Sequence, residues 1–235
     1  MTIDKMLSGN SIRLQACPIA DGGTPVEVWT GWDHGFTSLD VADCPGLVIV
    51  SPHPDDETLG FGATTAMLSE AGVDVHLVSV SDGGAAYPGL SAERRAQLET
   101  VRRAEVRRAA KLLGAGEPIR LEMPDGELHR CERQISDAIA AILARFPPGT
   151  WCAATWRGDG HPDHEATGRA AATAAAASGA VFVEYPVWMW HWARPGDPAV
   201  PWHRTRRVAL TDRALRLKRR ATQCFASQVE PTQDG

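Results

Sequence analysis

The strongest constraint on this chain is a run that leaves a strand no polar face. Leu47 to Val50, LVIV, is continuously apolar and stops abruptly at SPHPDDE. Short apolar runs of this kind belong to strands buried on both sides of a parallel sheet. The segment Glu57 to Ala71 has helical character and ends at Gly72, and VDVHLVSV (Val73 to Val80) then reads as a second strand. Ala92 to Leu113 is an Arg- and Ala-rich helix closed by Gly114. A third strand follows around Ile119 to Glu122. Leu128 to Phe146 reads as a helix stopped by Pro147 and Pro148, and Thr150 to Thr155 as a fourth strand, with a polar loop and another helix behind it. This alternation predicts an α/β fold: a Rossmann-like, mostly parallel sheet with helices on both faces and its active site at the carboxyl ends of the strands. Residues 46–235 are expected to form that single domain. Residues 1–45 lack sustained periodicity and read as an N-terminal appendage to the core, in which Val26, Val28, Trp29 and Trp32 could form a short edge element.

Composition narrows the classes of function. A chain of 235 residues with 24 Lys+Arg against 29 Asp+Glu, net charge −5, has no overall basic field for gripping a phosphate backbone, so nucleic acid is disfavoured and no nucleic-acid partner is expected. The cysteines Cys17, Cys44, Cys131, Cys152 and Cys224 are odd in number and contain no CxxC pair, which suggests a reducing compartment. No stretch approaches the roughly 18 apolar residues of a membrane span, and the first residues lack a signal-peptide core. The expectation is a soluble, cytoplasmic protein.

Two segments concentrate the chemistry. His53, Pro54, Asp55, Asp56 and Glu57 put one imidazole and three carboxylates directly after a strand that cannot solvate them. His161, Pro162, Asp163, His164 and Glu165 repeat the pattern after the fourth strand. Either cluster alone would read as a solvated helix start, where Asp and Glu are favoured. Together, in equivalent loops on one sheet edge, they suggest a shared divalent cation such as zinc, which relieves the repulsion among adjacent carboxylates.

LVIVSPHPDDETLGFG resembles the strand and HPDDE signature of the PIG-L/LmbE family of zinc-dependent de-N-acetylases, and GHPDHEATGRA resembles its HPDH signature. RRAEVRRAAKLLG, LEMPDGEL and KRRATQCFASQ are similar to further stretches of that family, so the resemblance runs from about Gly46 to Gln228. It implies that His53, Asp56 and His164 are the protein ligands of one Zn2+, that Asp55 is the general base, and that His161 stabilises an oxyanion or protonates the leaving amine. Three protein ligands suit a catalytic site, because a position stays open for water. Asp163 is placed to orient His53 or His164 from behind, unless it faces solvent in the first helical turn. The implied reaction is hydrolysis of an N-acetyl group from an amino sugar or glycosylated small molecule.

The resemblance also points Arg102, in its R-x-x-E helix, towards substrate. Against this, Arg94, Arg95, Arg102, Arg103, Arg107 and Arg108 together read mostly as the solvated face of one helix. Asp82 follows the second strand, where the family carries a glycine-and-acid loop, and is a candidate substrate contact. Trp188, Trp190 and Trp192 alternate as in a strand, which would pack one face into a core; the functional reading makes Trp188 a stacking wall for a sugar ring, or the segment an oligomer surface. His34, His76 and His129 stand alone and read as non-ligands. Two other classes compete: a metal-dependent phosphoesterase, which would favour two metals and more carboxylates, and a zinc-binding protein of this fold without turnover. A dinucleotide binder is disfavoured, since no G-x-G-x-x-G follows Val50. The chain ends at Gly235, soon after the SQ stretch beyond which family members often continue, so a C-terminal piece is either missing or absent by nature.

Overall fold

The structure, a computed structural model, describes residues 9–32 and 34–229. Among them, β1 (Leu47–Ser51), β2 (Val75–Ser79), β3 (Ile119–Arg120), β4 (Trp151–Thr155) and β5 (Val181–Tyr185) form one sheet in the order β3-β2-β1-β4-β5, with every pair parallel. β1 is central, and Leu47 lies between Val75 and Trp151. Its complete burial accounts for the unbroken apolar run.

The two faces of β1 feed two cores. Leu47 and Ile49 pack into one with helices α3 (Asp56–Glu70), α4 (Ala92–Leu113) and α8 (Asp212–Thr222). Val48 and Val50 pack into the other with α5 (Glu132–Leu143) and α6 (Pro162–Ser178). Helices on both faces of a parallel sheet are what the alternation of strands and helices predicts. α6 lies directly on the sheet: a Cβ at Gly168 would stand 2.4 Å from the Thr155 carbonyl oxygen. Only glycine permits that approach, and it brings the first turn of α6 to the end of β4.

Several local expectations change. β5 has no counterpart in the sequence reading; it is an edge strand with Val181 exposed, so it lacks the fully apolar run that marks β1. The expected helix from Leu128 to Phe146 opens as a 3-10 turn, Leu128–Arg130, and becomes α-helical only at Glu132, because Cys131 is out of the helical region at φ −111° and ψ 7°. Val26–Thr30 is a helical turn, α2, entered through Pro25, rather than an edge element. Trp188 to Trp192 is not a strand: Met189–Trp192 forms the short helix α7. The Trp alternation serves a third apolar cluster instead, in which Met189, Trp192, Ala193 and Val200 pack with Leu14, Trp29, Trp156 and Trp202. The helix α1 (Gly9–Gln15) belongs to that contact, so the N-terminal segment lies against residues 188–202. No described helix is long and apolar enough to cross a membrane.

Candidate active site

β1 pairs with β2 on one side and with β4 on the other, so the chain leaves the two central strands in opposite directions. The crevice at such a switch point is where open α/β sheets bind ligands. His53 to Asp55 form the turn from β1 into α3, and Asp56 is the first residue of that helix. His161 caps α6 behind β4, and Asp163 and His164 fall in its first turn. Thus the two polar clusters meet across adjacent strand ends.

Asp55 has φ 128° and ψ −31°, a conformation that L side chains rarely adopt. It is held from several sides. Its N–H donates to Glu57 Oε2 at 3.2 Å, and its carbonyl accepts from Thr58 and Leu59 at 2.9 and 2.8 Å. Arg102 Nη2 donates to the preceding carbonyl, that of Pro54, at 2.7 Å and lies 3.4 Å from Asp55 Oδ2. Arg102 is therefore not on a solvated face. It is 3% exposed, and its Nη1 donates to the carbonyl of Gly83, where a Cβ would strike the guanidinium. Burial, with the charge of Asp56, pushes the Asp55 carboxyl up to about 8, against the pull of Arg102.

The histidines converge on a single carboxylate oxygen. His53 Nδ1 lies 3.1 Å and His164 Nε2 3.2 Å from Asp56 Oδ2. Each imidazole is backed by carboxylate on its other nitrogen: His164 Nδ1 by Asp159 at 2.8 Å, His53 Nε2 by Asp125 at 3.0 Å and Asp163 at 3.3 Å. If those outer nitrogens carry the protons, two imidazole lone pairs face a carboxylate, an arrangement only a cation satisfies. Consistently, the buried His164 Nε2 makes no hydrogen bond. Without a metal, protons fill the role. Burial works against a charged imidazole, but the surrounding carboxylates outweigh it, raising His164 to about 9 and His53 well above its ordinary value. Burial likewise opposes ionisation of Asp56, yet His164 and His53 hold it well below the carboxylate range.

Two groups of described residues could hold a metal ion, His53 with Asp56 and His164, and His53 with His161 and Asp163, the ligand atoms of each lying within 4.8 Å of one another. They share His53, and the second is already engaged. Asp163 Oδ2 and Oδ1 accept from the N–H groups of Gly126 and Leu128 at 2.7 and 3.1 Å, and His161 Nδ1 accepts from the Asp163 N–H at 3.3 Å. The donor set, with no hydrogen bond occupying His164 Nε2, fits zinc in the first group. His161 stands beside it, its ring 4.8 Å from that of His164, and burial and the neighbouring imidazoles push it down to about 3. That shift favours the neutral ring, in which the accepting Nδ1 leaves the proton on Nε2.

These groups floor a cavity of about 790 Å³. Asp55, Asp56, His53, His161, Arg102 and Asp125 line its base, and Trp188, Leu14, Ile19 and Phe225 its walls. Trp188 lies nearly parallel to His161, at 20° and 6.3 Å. Asp82 is elsewhere: Arg120 and Arg103 occupy its carboxylate at 2.6 and 2.9 Å, because its loop is tied sideways to α4 and β3. Asp82 is not among the residues that line this cavity. Asp125 and Asp159 went unrecognised in the sequence. Asp159 stands in the same loop as His161, but nothing in one-dimensional spacing says that its side chain turns back to His164; Asp125 reaches His53 only through tertiary packing.

The family model described as PIG-L, GlcNAc-PI de-N-acetylase, matches residues 48–175. A 1D-myo-inositol 2-acetamido-2-deoxy-alpha-D-glucopyranoside deacetylase of Mycolicibacterium paratuberculosis is 34% identical over 147 residues, covering 53% of this chain and 49% of that protein. The chain spans about half the length of the curated relatives it matches. The N,N'-diacetylchitobiose deacetylase of Pyrococcus horikoshii superposes with a TM-score of 0.55 at 25% identity, over 79% of this chain and 71% of that one. GalB, the 4-carboxy-2-hydroxymuconate hydratase of Pseudomonas putida, superposes with a TM-score of 0.54 at 21% identity, over 78% and 80% of the two chains. At that identity the likeness concerns the fold alone, and a fold by itself does not name a reaction.

Proposed function

Since the chain belongs to the PIG-L, GlcNAc-PI de-N-acetylase family, we propose that it is a zinc-dependent amidohydrolase removing an N-acetyl group from an amino sugar or a glycosylated small molecule. The observation that carries this reading is the convergence of His53, His164 and Asp56 on one buried point, where His164 Nε2 lies 3.2 Å from Asp56 Oδ2 without a hydrogen bond, with Asp55 adjacent but outside the set. His53, Asp56 and His164 would hold the ion. When bound, zinc supplies a Lewis acid that polarises the amide carbonyl and lowers the pKa of a water to about 7.

The chain's own residues do the rest. Asp55 lines the cavity and takes the proton of the attacking water. Arg102 fixes the Pro54 carbonyl and flanks the Asp55 carboxylate, so the base cannot swing away. His161, neutral with its proton on Nε2, has a donor to offer the tetrahedral oxyanion. Asp55, once it carries the water's proton, is placed to return it to the departing amine. Trp188 offers a flat apolar face to a sugar ring. The two deacetylase relatives act on acetylated amino sugars, in keeping with this substrate class.

The test is elemental analysis of the wild type and His164→Ala after zinc reconstitution and equal dialysis, followed by assay of amine release from N-acetylglucosaminides. About one zinc per wild-type chain, lost in the variant, with amine release only from the wild type, is the expected result. A wild type that holds no zinc would overturn the reading.

A further inference from the structure

Asp159 is completely buried, and its carboxylate serves two parts of the molecule at once. Oδ2 accepts from His164 Nδ1 at 2.8 Å and from the Trp188 N–H at 2.9 Å. Oδ1 accepts from the N–H groups of Val187 and Met189 at 2.9 and 3.0 Å, and the Asp159 carbonyl accepts from Trp192 Nε1 at 2.8 Å. One side chain therefore fixes both a histidine of the metal set and the start of α7, which carries Trp188 into the cavity wall. α7 in turn holds the N-terminal segment: His191 Nε2 meets the Cys17 carbonyl at 2.9 Å, and Trp29 Nε1 donates to the Trp190 carbonyl at 3.0 Å. Leu14 and Ile19 of that segment complete the wall. Both wall segments lie outside residues 48–175, the stretch the family model matches.

We propose that Asp159 is a positioning residue that couples the metal centre to the substrate wall, so that metal affinity and substrate recognition are set by the same carboxylate. This rests on the reading of His53, Asp56 and His164 as the zinc set. Asp159→Asn keeps the size of the side chain but presents one acceptor oxygen and an NH2 group where four N–H donors need acceptors. In either orientation the NH2 meets donors, His164 and Trp188 on one side or Val187 and Met189 on the other. Because outer carboxylates hold ligating imidazoles in tautomer and orientation, the variant is expected to raise the zinc Kd by about 10- to 100-fold, read by competition with a chromophoric chelator. At saturating zinc it still raises KM for an N-acetylglucosaminide, as does Trp188→Ala, whereas Trp188→Ala leaves the zinc Kd unchanged. A Kd within twofold of wild type in Asp159→Asn overturns the proposal, and so does a wild-type KM once zinc saturates. If Asp159→Asn does not fold, Trp192→Phe removes the bond to the Asp159 carbonyl together with part of the ring packed against Trp156; a zinc Kd raised threefold or more, in a variant whose circular dichroism matches wild type, supports the coupling and an unchanged one overturns it. A wild type that binds zinc but releases no amine from amino sugars sinks the proposed substrate class and leaves the zinc comparison to judge Asp159.

Discussion

Asp55 and Asp56 are neighbours of the same chemical type with opposite fates. Asp56 faces two imidazoles and is held ionised; Asp55 faces the cavity in a left-handed conformation, with burial raising its carboxyl and a single guanidinium opposing that. Side by side, the two make a ligand and a base from one dipeptide. Asp55→Ala should lower amine release by about 10²- to 10⁴-fold, the scale of a lost general base, while zinc content stays at the wild-type value. His161→Ala should lower it by about 10²- to 10³-fold, also with zinc retained, as removal of an oxyanion donor does. Elemental analysis beside initial rates separates these from metal loss. Zinc lost in His161→Ala would place His161, not His164, in the ligand set.

At the scale of elements, the site depends on how loops are tied to the sheet. Asp82, at the end of β2, is bonded by Arg103 of α4 and Arg120 of β3, which ties three elements beside the site. Burial raises its carboxyl, but the two guanidinium groups more than offset this and the pKa lies below the ordinary value. A depressed folded-state pKa stabilises above the unfolded value of about 3.9, and that stability disappears as pH falls through the folded value. Asp82→Asn should therefore lower Tm at neutral pH and flatten the acid limb of the Tm–pH curve between about pH 5 and 2 relative to wild type. Thermal melts across that range check it; parallel acid limbs would show that the pair contributes nothing. Amine-release kinetics should be little changed, since Asp82 lies outside the cavity lining.

For the whole molecule, the centre gathers several buried acids and imidazoles at the mouth of an apolar sheet, a crowd that a cation relieves. A ligand that binds only the folded state stabilises it by about 2.7 kcal/mol at 100 times its Kd. For a chain of this size each kcal/mol corresponds to roughly 2–4 °C, so stripping zinc with a chelator should lower Tm by about 5–10 °C, restored by zinc and not by magnesium. A Tm indifferent to chelation would speak against a metal at the junction of β1 and β4. The same scale accounts for the tryptophans. Those of the N-terminal segment and of residues 188–202 are mutual packing partners, with Trp29 against Trp190 at 4.9 Å and Trp32 against Trp202 at 4.7 Å. One of them, Trp188, also faces the cavity.

By itself the sequence determined the parallel α/β architecture and the meeting of its two polar clusters at one sheet edge. Both signals are local: an apolar run too short for a helix, a glycine or proline ending each element, and ionisable residues packed too densely beside a core strand to be incidental. β5 escaped because an edge strand need not be apolar on both faces, and α7 because three alternate tryptophans fit a strand as well as a helical turn packed into a cluster. Only the tertiary structure decided which carboxylate stands behind which imidazole. Asp159 and Asp125 support His164 and His53, while Asp82, which shares their composition and follows a strand of the same sheet, turns to two arginines. The reason is physical: the direction of a side chain at the end of a strand is set by the packing of the next helix, and that information lies in contacts between segments far apart in the chain.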